Sequence, residues 1–183
     1  MWIALIIIVL LVVWIISVYN ELIKSRQKVD NAWSQIDVQL QRRFDLIPNF
    51  IETVKGYMTY ESETFEKITA LRTSWANSTS VEEKAKLDGE LSGALKTIMA
   101  VSENYPDLKA NQNFLELSKE LSNTENKIST SRLFYNDSVT MYNTKLELFP
   151  SNIVAGMFNF QKRELFAVES DEARKNVKVD FNK

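Results

Sequence analysis

The first twenty residues carry no charged side chain, and residues 2–16 are an unbroken apolar run before the first charge at Glu21. A helix rises about 1.5 Å per residue, so roughly twenty such residues cross the hydrocarbon core of a bilayer. No other stretch of the chain approaches that apolar length. A cleaved signal peptide needs a basic leading region, a shorter apolar stretch and a small-residue cleavage site. Here the stretch is long and Ser17-Val18-Tyr19 lacks the small-x-small pattern. The run therefore predicts an uncleaved signal-anchor, residues 1–20, touching membrane lipid. Without cysteine there is no acylated lipoprotein, and Met1-Trp2 excludes N-myristoylation. Trp2 and Trp14 lie toward opposite ends of the run, where indoles favour the two interfaces. Lys24, Arg26 and Lys28 follow the span and no basic side chain precedes it. The positive-inside rule then predicts a single-pass protein of the inner membrane, N-terminus outside and remaining chain cytoplasmic.

Composition narrows the function classes. The net charge is −2, and a nucleic-acid role needs a basic face to neutralise phosphates, so a nucleic-acid partner is not expected. His and Cys are both zero. That removes imidazole acid/base catalysis, the usual zinc ligand sets, cysteine nucleophiles and the Glu-x-x-His motif of di-iron bundles. With four glycines and neither a P-loop nor Gly-x-Gly-x-x-Gly, a phosphate-cradling loop has little to be built from. No catalytic, cofactor-binding or metal-ligating residue is assigned, and no cofactor is expected.

Beyond the anchor the periodicity is helical. Val29, Trp33, Ile36, Leu40, Phe44, Ile47, Ile51, Val54 and Met58 recur at three- and four-residue steps, and Phe65, Ile68 and Trp75 extend the stripe. This predicts one long helix to about Ala76, running on from the anchor and kinked rather than broken at Pro48, because the stripe keeps phase across it. Residues 77–80 are a polar break, with Ser78 expected at the surface. Ser80 and Glu83 form a capping box that starts a second helix near Val81, ending near Glu103. A third runs over 110–149, with Phe114, Leu121, Ile128, Tyr135, Tyr142 and Phe149 at steps of seven. A short fourth helix is expected over 153–166, and residues 169–183 form a tail. The fold class is all-α: an N-terminal transmembrane helix continuing into an antiparallel helical bundle of three long helices plus a short fourth, residues 21–168.

Several polar residues interrupt the core faces. At 100° per residue, Arg132 shares the face of Phe114, Leu121 and Ile128, and Glu125 lies about 40° from the seam. Asn136 and Asn143 flank the same seam. Arg43 and Asp37 border the stripe of the first helix, while Arg42 and Asp45 point away from it. Polar groups so near a core need partners. The six residues Glu125, Arg132, Asn136, Asn143, Arg43 and Asp37 are expected to form a buried polar network that fixes helix register. A ligand or carboxylate-metal site is the alternative.

Ala32-Trp33-Ser34-Gln35-Ile36-Asp37-Val38-Gln39-Leu40-Gln41-Arg42-Arg43 with Asp45-Leu46-Ile47-Pro48-Asn49 resembles the central signature of the LemA family. Thr124-Glu125-Asn126-Lys127-Ile128, Arg132, Tyr135-Asn136-Asp137 and Tyr142-Asn143 are similar to its second signature, and Phe149-Pro150 with Asn152-Ile153 to its third. Asn159 stands where a glycine is expected, and Ala167 where an acidic residue is. The resemblance implies a membrane-anchored bacterial helical bundle with a short external N-terminus and no established molecular activity. A related protein of magnetosome-forming bacteria is linked to making that organelle's membrane, which implies membrane organisation.

The expected function is a non-enzymatic, membrane-tethered scaffold or adaptor whose partner is an unidentified membrane or cytoplasmic protein. The alternatives are an accessory or regulatory subunit of a membrane enzyme such as a protease, and a carboxylate-metal or small-ligand site between helices. The helix lengths also carry an expectation. The second helix returns only part of the first helix's length, so residues 21–40 would stand as a stalk without bundle partners. Its apolar stripe must then be covered by the C-terminal tail or by other copies of the chain, and a homo-oligomer is the expected answer.

Overall fold

The computed structural model describes residues 1–58 and 61–166. Six helices occur among them: α1 (Trp2–Lys55), α2 (Ser62–Asn77), α3 (Val81–Ser102), α4 (Pro106–Lys109), α5 (Gln112–Glu147) and α6 (Ser151–Met157). The protein is all-α, with a long apolar N-terminal helix followed by a helical bundle. The expected tail over 169–183 and the departure at Ala167 lie outside the described residues.

Helix α1 is continuous for 54 residues, with Pro48 inside it. Its first part has the length and composition to cross a membrane, with a mean hydropathy of 3.0 over 18 residues and none of that window buried by protein. The helix ends at Lys55, well short of Ala76. Gly56 follows, one of the weakest helix formers, and the chain turns with Tyr57 and Met58 N–H groups both donating to Val54 O. The apolar spacing passes over this break without a change of step. Val54, Met58, Phe65 and Ile68 are all buried, so periodicity alone did not reveal it.

The chain packs as two compact units. The first joins residues 1–46 to residues 116–166. Leu22, Val29, Ala32, Ile36, Leu40 and Phe44 of α1 are buried there, as are Leu121, Ile128, Tyr135, Val139 and Tyr142 of α5. The stripe over 21–40 is therefore covered within one chain. The expected bare stalk does not exist, because α5 and the segment after α6 lie along it. The second unit takes in residues 47–115. In it α2 packs on α3, burying Phe65, Ile68, Leu71 and Trp75 against Ala85, Leu91, Leu95 and Ile98. Phe50 and Phe114 stack at 6.0 Å. Ser80 caps α3, its Oγ accepting from Glu83 N–H at 3.1 Å, and Asn111 caps α5, its Oδ1 accepting from Phe114 N–H at 3.0 Å.

Three local expectations are corrected. Ser78 is buried, its hydroxyl donating to Trp75 O at 3.0 Å. Phe149 is 80% exposed, because α5 stops at Glu147 and the heptad phase ends with it. The fourth helix covers only Ser151–Met157. It closes with Phe160 N–H donating to Ala155 O and Asn159 N–H to Gly156 O, the paired bonds of a Schellman motif. Asn159 sits at φ 53° in that motif, the left-handed region where glycine costs least and asparagine is the next best residue. This accounts for an asparagine in place of the glycine expected from the resemblance.

Candidate functional site

Residues 158–166 leave α6 without helical structure and run back along α5. A helix cannot hold an extended chain with its own backbone, whose N–H and C=O groups are already used within it. Side chains must do it instead. Asn143 donates through Nδ2 to Arg163 O at 2.9 Å and accepts on Oδ1 from Arg163 N–H at 2.9 Å. Asn136 does the same for Phe166, donating to its O at 3.1 Å and accepting from its N–H at 2.8 Å. The carboxamide side chain offers the donor–acceptor pair that a neighbouring strand would offer. Beside each asparagine a tyrosine adds one bond. The Tyr142 hydroxyl donates to Gln161 O at 3.1 Å and that of Tyr135 to Glu164 O at 2.8 Å.

The spacing explains the repeat. The two Tyr-Asn pairs, 135–136 and 142–143, stand one heptad apart, which is about 10 Å along a helix axis. Their partners stand three residues apart, which also spans about 10 Å when the chain is extended. A heptad of helix thus keeps step with three residues of strap. Phe166 ends the clamped stretch fully buried, beside the Trp33 ring at 6.1 Å and beneath the Arg132 guanidinium at 5.1 Å. Trp33 also meets Tyr135 at 5.6 Å. Burial raises the phenol of Tyr135 above its ordinary range and does the same at Tyr142.

Five of the six residues singled out in the sequence divide between two devices. Arg43, 3% exposed on α1, pairs with Glu125 of α5 at 2.5 Å, and the Glu125 side chain remains one-third exposed. Arg42, which faces solvent, pairs with Glu120. Asp37 is half-buried on α1. Arg132, Asn136 and Asn143 belong to the strap. The hydroxyl roles of Tyr135 and Tyr142 were missed, as were the backbone partners over 161–166. The signal for them was the Tyr-Asn pair repeated at a heptad. The fully buried Asp88 of α3 was also missed. It lies at the same phase as Ala85, Leu91 and Leu95.

Among the described residues no three His, Cys, Asp or Glu side chains gather as a metal site. An open groove of about 510 Å³ lies between α1 and α5, lined by Ser34, Gln35, Val38, Asn126, Lys127 and Thr130 among others. It is uncharged apart from Lys127.

Residues 32–181 match the LemA family. This chain belongs to the LemA family. The Protein LemA of Metamycoplasma hominis is 33% identical over 168 residues, covering 89% of this chain and 73% of the relative. The magnetosome proteins MamQ 2 and MamQ 1 of Paramagnetospirillum magneticum are 23% identical over 174 residues, covering 81% of this chain. This chain spans 64% of their length. With its apolar first helix, this LemA-family chain is a membrane-anchored protein. Apart from Ile47, Pro48 and Asn49, the residues of the two long signatures meet in the first unit, where they join α1 to α5 and hold the strap.

Proposed function

We propose that this chain is a non-enzymatic scaffold or adaptor that organises other proteins at the cytoplasmic face of the bacterial inner membrane. The observation that carries this reading is the unbroken helix α1, which continues from the membrane-length apolar segment straight into the packed first unit. A helical connection fixes the height and rotation of that unit above the bilayer, where a flexible linker would fix neither. The polar residues of the signatures hold the chain's own parts, as the Arg43–Glu125 pair and the asparagine clamps do. Kinship with magnetosome proteins supports a membrane setting. Lys24, Arg26 and Lys28 after the span support a cytoplasmic bundle.

Photo-crosslinking from Val38 and Thr130, which line the groove, tests the reading in intact cells, with products identified by mass spectrometry. A discrete, reproducible set of protein partners is expected. A single membrane enzyme whose activity changes when this chain is deleted favours the accessory-subunit reading. Crosslinks to lipid alone overturn the scaffold.

A further inference from the structure

We propose that the corner joining α5 to α6 is a second membrane contact, seated in the lipid surface beside the point where α1 leaves the bilayer. The proposal rests on the membrane anchoring of α1.

Helix α6 buries Val154 and Ala155 against Leu22, with Trp14, Ile15, Val18 and Tyr19 packed around them. Trp14, Ile15, Val18 and Tyr19 belong to the last turns of the charge-free run, and Leu22 lies one residue past the first charge. Trp14 precedes Glu21 by seven residues, about 10 Å of helix, so the α6 cluster extends from the level of the first charge to about that depth on its membrane side. That matches the depth of roughly 5–10 Å at which interfacial helices lie. The outer face of the corner is apolar. Leu148, Phe149, Ile153, Met157 and Phe158 are between 50% and 80% exposed. Nothing charged occurs over residues 148–161. An apolar patch of this kind does not stay in water without a partner.

Charge reappears at one level on three separate segments. On α1 it begins at Glu21, which bonds Lys145 of α5 at 2.7 Å. Lys145 also donates to Ser25 at 2.9 Å. Glu147 and Lys162, which bracket the uncharged corner, pair with each other. Below that level the Phe158 ring lies 4.7 Å from Tyr19, while Phe160, 5.7 Å from Tyr19, reaches up to the charged level. Above it Arg26 covers Phe160 at 5.6 Å. An aromatic layer beneath a charged layer is the order that a bilayer interface imposes. The backbone of the corner is also suited to lipid. Asn152, Ile153, Phe158, Asn159 and Phe160 all donate their N–H groups within residues 148–160, and Ser151 Oγ donates to Lys145 O and Leu148 O.

The test uses the full chain in phosphatidylethanolamine–phosphatidylglycerol vesicles. The chain contains no native cysteine, so an environment-sensitive fluorophore can be placed on a single one. Ile153→Cys and Met157→Cys probe the corner, Val9→Cys the span, and Asn126→Cys the solvent-exposed side of α5. Labels at 153 and 157 are expected to be quenched several-fold more by spin-labelled lipid than the label at 126, and several-fold less by iodide. Iodide quenching equal to that at 126 overturns the proposal, and so does protection from both quenchers, which would mean that protein covers the corner. The label at 9 separates the two failures. If it is lipid-quenched and those at 153 and 157 are not, only the corner is wrong. If none is, the anchoring of α1 fails as well.

Discussion

A carboxamide side chain can stand in for a strand edge only if both of its ends are used, and Asn136 and Asn143 use both. Replacing either with alanine leaves an N–H and a C=O of the strap without those partners. The loss is expected to cost about 1–3 kcal/mol at Asn136, whose bonds are part-buried, and about 0.5–1.5 kcal/mol at Asn143, whose bonds are exposed. Amide exchange at Arg163 should speed up in Asn143→Ala and that at Phe166 in Asn136→Ala, and unchanged rates would show that the clamps hold nothing. The double variant should cost less than the sum, since both act on one strap. Asn159 sets a different test, because its constraint is the backbone and not a partner. With φ at 53° it occupies a region that costs most residues about 1–2 kcal/mol. Asn159→Gly should be neutral or stabilising in thermal unfolding, while Asn159→Val should lower stability by that order.

At the scale of elements, the strap depends on phenols that stay protonated. The folded state raises the Tyr135 and Tyr142 ionisations above the ordinary value of 10.0, burial being the first cause in both. Their contribution is whole below that pH. It is lost as pH rises through the folded values, because the unfolded chain releases these protons sooner. An ultraviolet titration should therefore show a late component among the six tyrosines. Tyr135→Phe and Tyr142→Phe should remove it, and ionisation of both together with exposed tyrosines would contradict the geometry. At the opposite end of the pH scale, the hydrogen bond and charge of Lys145 lower the pKa of Glu21. That contribution is present above the carboxylate range and fades as pH falls through the lowered value. It is small, since Glu21 faces solvent.

For the whole molecule, orientation across the membrane sets which proteins it can meet. The test is a single cysteine labelled by a membrane-impermeant thiol reagent in intact cells. Ser78 is unsuitable because it is buried, and the exposed Thr79 beside it serves instead. Thr79→Cys should resist labelling until the cells are lysed. Labelling before lysis would place the second unit outside and reverse the proposed topology. The coverage of the stripe over 21–40 within one chain removes the reason first found for self-association, so a homo-oligomer needs some other interface.

The sequence by itself determined the anchor, the helical class, the passage of α1 through Pro48, and the family. Each is written in local properties: an uncharged run, a period of three and four residues, an apolar phase kept across the proline, and long specific motifs. The Ser80 cap was legible for the same reason, since cap and partner are three residues apart. Tertiary structure decided what faces what. The break after Lys55 was hidden because the apolar spacing continues across it. Asn136 and Asn143 were legible as polar residues beside a core, but their partners are backbone groups twenty and thirty residues away, which no side-chain pattern encodes. The stripe over 21–40 looked bare because helix lengths count only helices, and its cover includes an extended strap. Only packing could show that strap, because an extended chain gains its stability from the surface it lies on.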